Sequence, residues 1–273
     1  MHLAFIGGTG LSQMDGLDSV RHQVVSTPYG EPSGPLSIGR MAGCEVVFLP
    51  RHGYNHRIPP HAINYRANLW ALRELGVERI LAVSSVGGIS PAMQPGSLCV
   101  PDQLIDYTWG RPSTFFEGDL ESVTHVDFSY PYDAALRGAL LRAGAALDIP
   151  LIDGGTYGAA QGPRFETAAE IRRMQRDGCD LVGMTGMPEA ILARECDIQY
   201  ASLTVVANRA AGLNGGKPLD FHEVNQTIRQ SMASVQRLFL HLLSTRDCVV
   251  CGTAAPETAG ACPSVAAKRV PDA

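Results

Sequence analysis

Leu3-Ala4-Phe5-Ile6-Gly7-Gly8-Thr9-Gly10 is an apolar run of strand length that breaks into glycine. It reads as a buried first strand ending in a tight turn. Glycines at such a point let backbone N–H groups approach an anion, and Thr9 adds a hydroxyl donor. A dinucleotide-binding fingerprint fails on spacing, because counting from Gly8 puts Gln13 where the third glycine belongs. A P-loop fails for want of Gly-Lys-Ser/Thr.

Downstream, short apolar or β-branched runs alternate with helix-period stretches. Strands are expected at 3–6, 45–49, 79–83, 98–100, 180–184 and 200–206, and helices at 63–75, 133–147, 167–176, 188–195 and 221–243. Such alternation predicts an α/β fold, a single domain with a central mixed β-sheet flanked by helices. Thr167 with Glu170, and Asp220 with Glu223, fit capping boxes at two helix starts. Val224, Ile228, Met232, Val235, Leu238, Leu242 and Leu243 share one face of the last helix, which should dock on the core. The domain is expected over 1–244. The segment 245–273 is rich in Ala, Pro, Thr and Gly and reads as a flexible tail.

The chain has 273 residues, 45% of them hydrophobic, enough for one large core. Its net charge is −5, and its basic residues form no stripe, which argues against a nucleic-acid partner. No apolar run approaches membrane-spanning length, and residues 1–6 lack the charged start and cleavage site of a signal peptide. Seven cysteines at irregular spacing argue against a secreted disulfide framework and for a cytoplasmic protein with reduced thiols. Cys248 and Cys251 form a single CxxC without the second pair a zinc site needs.

Six short runs carry the chemistry, and five of them begin where a strand is expected to end. They are Ile6–Gly10, Pro50-Arg51-His52-Gly53, Val83-Ser84-Ser85-Val86-Gly87-Gly88, Gln161-Gly162-Pro163-Arg164-Phe165-Glu166-Thr167, Val182-Gly183-Met184-Thr185-Gly186-Met187-Pro188-Glu189 and Val206-Ala207-Asn208-Arg209. Strand ends of an open α/β sheet are where ligands bind. What converges is a set of anion donors with Arg51 foremost, one carboxylate and one amide. His52, His56 and His61 lie close together, but their spacing matches no common zinc motif, and no metal is expected.

These runs, with Asn64-Tyr65-Arg66-Ala67-Asn68, resemble the trimeric purine nucleoside phosphorylases, most closely their methylthioadenosine and methylthioinosine phosphorylase branch. The likeness covers roughly residues 3–243. It implies phosphate binding by Thr9, Arg51, His52, Ser85, Thr185 and the backbone N–H of Val86. It implies that Met184 packs on the ribose and that Phe165 stacks on the purine. It also implies a homotrimer in which His125 reaches the 5′ end of a neighbouring subunit's substrate. Phosphate serves as co-substrate, and no metal or organic cofactor is expected. Cleaving the glycosidic bond builds positive charge on the ribose and negative charge on the purine. A phosphate dianion stabilises the first, and a hydrogen bond at N7 the second.

The base pocket narrows the substrate. A 6-oxopurine offers an N1–H donor that Glu166 can accept, and the Asn208 amide can donate to N7 or O6. The methylthioadenosine enzymes carry Asp at the Asn208 position and no Glu at the Glu166 position, whereas methylthioinosine phosphorylases combine both features found in this sequence. Catalytic weight is expected on Asn208, Glu166 and His52. Aligning the last helix by its apolar period places Val224 at the 5′ group; aligning by local identity would place His222 there, as in an inosine–guanosine phosphorylase. A methylthioadenosine phosphorylase and a non-catalytic nucleoside-binding protein are the remaining readings.

Overall fold

A computed structural model of the chain describes residues 3–8, 11, 16–118 and 123–245. The expected tail, the Cys248–Cys251 pair and Thr9 lie outside the described residues.

The opening run forms β1 (Leu3–Gly7), buried at every position. Its side chains alternate between two faces, as a pleated strand requires. Ala4 and Ile6 join one core cluster, and Leu3 and Phe5 join another. The first cluster is closed by α1 (Tyr65–Glu74) and α4 (Gly186–Glu195), and the second by α2 (Ala134–Ala146) and α5 (Phe221–Ser244). α3 (Ala168–Arg176) packs Ile171 and Met174 on a third, smaller cluster with Val182. The sheet is thus covered on both faces, as the alternation of elements predicts.

The central strand is β5 (Arg79–Gly88). It runs parallel to β1 through its first half and to β11 (Gln199–Arg209) throughout, and its last residues pair antiparallel with β10 (Leu181–Gly183). β4 (Cys44–Pro50) lies parallel on the far side of β1. The ends of β1, β4, β5 and β11 therefore point to one edge, and β10 runs back toward the middle of β5 from that edge. This reversal makes the sheet mixed and puts the residues after β10 beside Val86 rather than beyond it.

Each expected strand and helix appears. Five further strands were not legible. β2 (Asp18–Gln23) and β3 (Leu36–Met41) extend the sheet antiparallel beyond β4. β2 is an exposed edge, so its sequence Asp-Ser-Val-Arg-His-Gln has no apolar face to betray it. β6 (Leu98–Val100), which was expected, pairs with β8 (Leu151–Asp153), while β7 (Gln103–Asp106) pairs with β9 (Thr156–Ala159), which in turn pairs with β10. These unforeseen strands span three or four residues, too few for a periodic signal. At α3 the capping box forms in full: Glu170 N–H donates to Thr167 Oγ1, and Thr167 N–H to Glu170 Oε2. At α5 Asp220 accepts from the amides of His222 and Glu223, the forward half of the box.

Candidate active site

A cavity of about 640 Å³ opens where β1, β4, β5 and β11 end, a size suited to a small ligand. Arg51, His52, Ser85, Val86, Phe165, Glu166, Met184, Thr185, Asn208 and Val224 all line it. Ten of the twelve residues expected to act together are therefore neighbours in space. Thr9 is not described, although Gly8 before it lines the cavity. His125 is exposed and lies outside the cavity of its own chain.

At the sheet end of the cavity, Arg51 leaves β4 and turns inward. It is fully buried. Its Nε and Nη2 donate to the two carboxylate oxygens of Glu189, and Nη1 donates to the Val83 carbonyl. Burial works against the charge, and Glu189 more than offsets it, so the Arg51 pKa lies above its ordinary value. The donor fork expected to grip phosphate thus grips Glu189 on one edge. One N–H each on Nη1 and Nη2 is left for a ligand. Gly8 is required here: a Cβ on it would stand 2.7 Å from the Val83 oxygen and 2.8 Å from Nη1. Tyr200 Oη also donates to Glu189, completing a buried network.

The hydroxyl donors follow from the reversal at β10. Ser84 Oγ and Thr185 Oγ1 are 3.2 Å apart, although their elements are far apart in sequence. Gly183 permits this approach, since a Cβ there would collide with Tyr157 Oη. The Tyr157 hydroxyl accepts from the Thr185 N–H. Beside Arg51, His52 bonds the Ile58 carbonyl through Nδ1 at 2.8 Å. Burial, and then the Arg51 guanidinium, push the imidazole down to about 4.

Glu166 and Asn208 line the same cavity. The pairing of β11 with β5 slips between Val206 and Asn208, which re-aims Asn208 into the cavity. One N–H of its amide is anchored on the Arg209 carbonyl at 2.8 Å, leaving the second for a ligand. Burial pushes the Glu166 carboxyl up. Phe165 is half-exposed and meets Phe221, at the start of α5, edge to face at 5.8 Å. Met184 places its sulfur over Gly162, in the loop that carries Phe165 and Glu166, the expected base loop.

α5 contributes an apolar wall to the cavity. Val224 is half-buried and lines the cavity together with Ile228, whereas His222 is exposed and does not.

Two contributors escaped sequence reasoning. Glu189 follows β10, and its only local signal is a lone carboxylate amid Met-Pro and Ala-Ile-Leu-Ala. Arg111 is buried and donates to the carbonyls of Met184, Met187, Ala160 and Gln161, tying the Thr185 loop to the base loop. It lies in a stretch without periodicity, and nothing local marked it.

A model of the phosphorylase superfamily matches residues 2–244. The probable S-methyl-5′-thioinosine phosphorylase of Pseudomonas syringae is 55% identical, over 88% of this chain and 98% of the relative. The 6-oxopurine nucleoside phosphorylase of Pyrococcus furiosus is 46% identical over 87% of this chain and 90% of its own. Among solved structures, the methylthioadenosine phosphorylase of Schistosoma mansoni in complex with adenine superposes with a TM-score of 0.85 at 31% identity, covering 90% of this chain and 92% of that one.

Proposed function

Because this chain belongs to the phosphorylase superfamily, we propose that its cavity performs phosphorolysis of S-methyl-5′-thioinosine, giving hypoxanthine and 5-methylthioribose 1-phosphate. The observation that carries the reading is that Glu166, Asn208 and Val224 line one cavity with Arg51, His52, Ser85, Val86 and Thr185. Phosphate sits at the sheet end, held by Arg51, the Ser85 and Thr185 hydroxyls and the Val86 N–H, with Thr9 as a further donor. The purine lies between Glu166, which accepts from N1–H, and Asn208, which donates to N7 as negative charge gathers there. Phe165 stacks on the base and Met184 packs on the ribose. The thiomethyl group faces Val224 and Ile228, where a hydroxyl would lack a partner.

The relatives named for methylthioinosine and 6-oxopurine nucleosides support the base assignment, and the apolar 5′ wall favours the former. We place the enzyme in the cytoplasm as a homotrimer without metal or organic cofactor. In that assembly the exposed His125 serves the 5′ end of a neighbouring subunit's pocket. The test is a panel of methylthioinosine, methylthioadenosine, inosine, guanosine and adenosine, each with and without phosphate or arsenate. Methylthioinosine should be cleaved fastest at low substrate and only with the oxyanion. Equal cleavage in phosphate-free buffer would mean a hydrolase.

A further inference from the structure

The two nitrogens of the His52 ring differ in their surroundings. Nδ1 meets the Ile58 carbonyl, which can only accept, so Nδ1 carries a hydrogen. Nε2 has no partner among the described residues, and the ring lines the cavity. The charged group beside the ring is the Arg51 guanidinium, and the His56 ring lies tilted against it at 4.4 Å, so among the described residues no carboxylate compensates a second proton. Burial and Arg51 accordingly keep the ring neutral at neutral pH. Nε2 then carries a bare lone pair, on a ring that lines the cavity together with Arg51.

The charge of Arg51 is itself matched by Glu189 at 2.6 Å, with side chains 0% and 1% exposed. The Arg51–Glu189 pair is therefore formally neutral, and the other cations that line the cavity, Arg57, Arg209 and Lys217, attract any dianion of the same charge alike. What distinguishes oxyanions in such a site is hydrogen-bond complementarity. The phosphate and arsenate dianions keep one O–H. Sulfate and monofluorophosphate carry the same charge with none. A proton-free oxygen against Nε2 sets two acceptors face to face, whereas an O–H completes a hydrogen bond.

We propose that His52 selects the oxyanion by its proton, Nε2 accepting a hydrogen bond from the O–H of monohydrogen phosphate. The proposal rests on the phosphorolysis reading and specifies the anion that reaction takes. It assigns the proton to the oxygen that meets His52, which leaves an unprotonated oxygen free to attack.

The experiment is competition against phosphate at fixed nucleoside and neutral pH, using sulfate and monofluorophosphate as probes. In the wild type both should bind at least about tenfold more weakly than phosphate or arsenate. His52→Gln, whose amide can donate, should weaken phosphate and shrink that ratio to about threefold or less. The wild-type enzyme also answers independently of any variant: nitrogen NMR of histidine-labelled protein with phosphate bound should find Nε2 unprotonated. Sulfate as tight as phosphate, an unchanged ratio in folded His52→Gln, or a protonated Nε2 would each overturn the proposal. Failure of the phosphorolysis reading is separable, since it registers as cleavage that needs no oxyanion at all.

Discussion

Arg51 and Glu189 meet side-on, Nε to Oε2 at 2.6 Å and Nη2 to Oε1 at 2.7 Å, and neither side chain reaches solvent. A residue at the end of β4 is thereby oriented by the first regular turn of α4, since Met187 and Pro188 before it lie outside helical dihedrals. Removing one member leaves a bare charge at the wall of the oxyanion end, a more costly state than removing both.

Arg51→Ala should accordingly lose more phosphate affinity than the double variant Arg51→Ala/Glu189→Ala, because the first leaves an uncompensated carboxylate beside the anion. Glu189→Ala alone should destabilise the fold by about 3–5 kcal/mol. Urea unfolding of the four proteins of the cycle, with phosphate KM for each, checks both expectations. Additive stability changes would mean that the pair is uncoupled.

Val224 and Ile228 line the cavity, and on the proposed reading they form the wall that meets the 5′ group. A thiomethyl group buried there gains about 1–2 kcal/mol over an exposed one, so methylthioinosine should exceed inosine by about tenfold or more in kcat/KM. Val224→His should narrow that gap, and His222→Ala should leave it unchanged. Direct competition between the two nucleosides is the measurement.

Asn208→Asp should move selectivity toward 6-aminopurines. The carboxylate accepts from a 6-amino group and no longer donates to O6 or N7. An unpaired buried group costs about 1–3 kcal/mol, so the methylthioinosine to methylthioadenosine ratio should fall roughly tenfold to a hundredfold. An unchanged ratio would place the base elsewhere in the cavity.

Glu166 gives the same ratio a pH dependence. Burial raises its pKa, so the carboxyl takes up a proton earlier than an exposed glutamate as the solution is acidified. Once protonated it no longer accepts from N1–H of an oxopurine, while it can donate to the bare N1 of adenine. The oxopurine advantage should be full at neutral pH and decline on the acid side. Glu166→Gln should show a small advantage that does not vary with pH. Paired kcat/KM profiles for the two methylthio nucleosides decide it.

Arg111 holds four backbone carbonyls from two loops. Arg111→Gln leaves several buried acceptors unmet and should cost about 3 kcal/mol or more. Because it joins the Thr185 loop to the base loop, the KM for phosphate and the KM for nucleoside should rise together. A change confined to one of them would show that the loops are held independently.

The sequence alone determined the layered α/β architecture, because apolar periods of two and 3.6 are local properties that survive in one dimension. It also specified the residue types of the site, since strand ends carrying Gly, Arg, Ser, Thr and Asn have few other uses. The period of α5 also put Val224 on the buried side of the helix, where it lines the cavity. Tertiary structure alone decided which donors remain free. No local pattern brings Glu189 onto Arg51, Thr185 onto Ser84, or Arg111 onto Met184, since these pairs are joined by β10 running back along β5. Hydrogen bonding saturates: each N–H or lone pair engaged by a distant residue is withdrawn from the ligand. What the cavity offers to phosphate and purine therefore depends on long-range packing that the order of residues does not display.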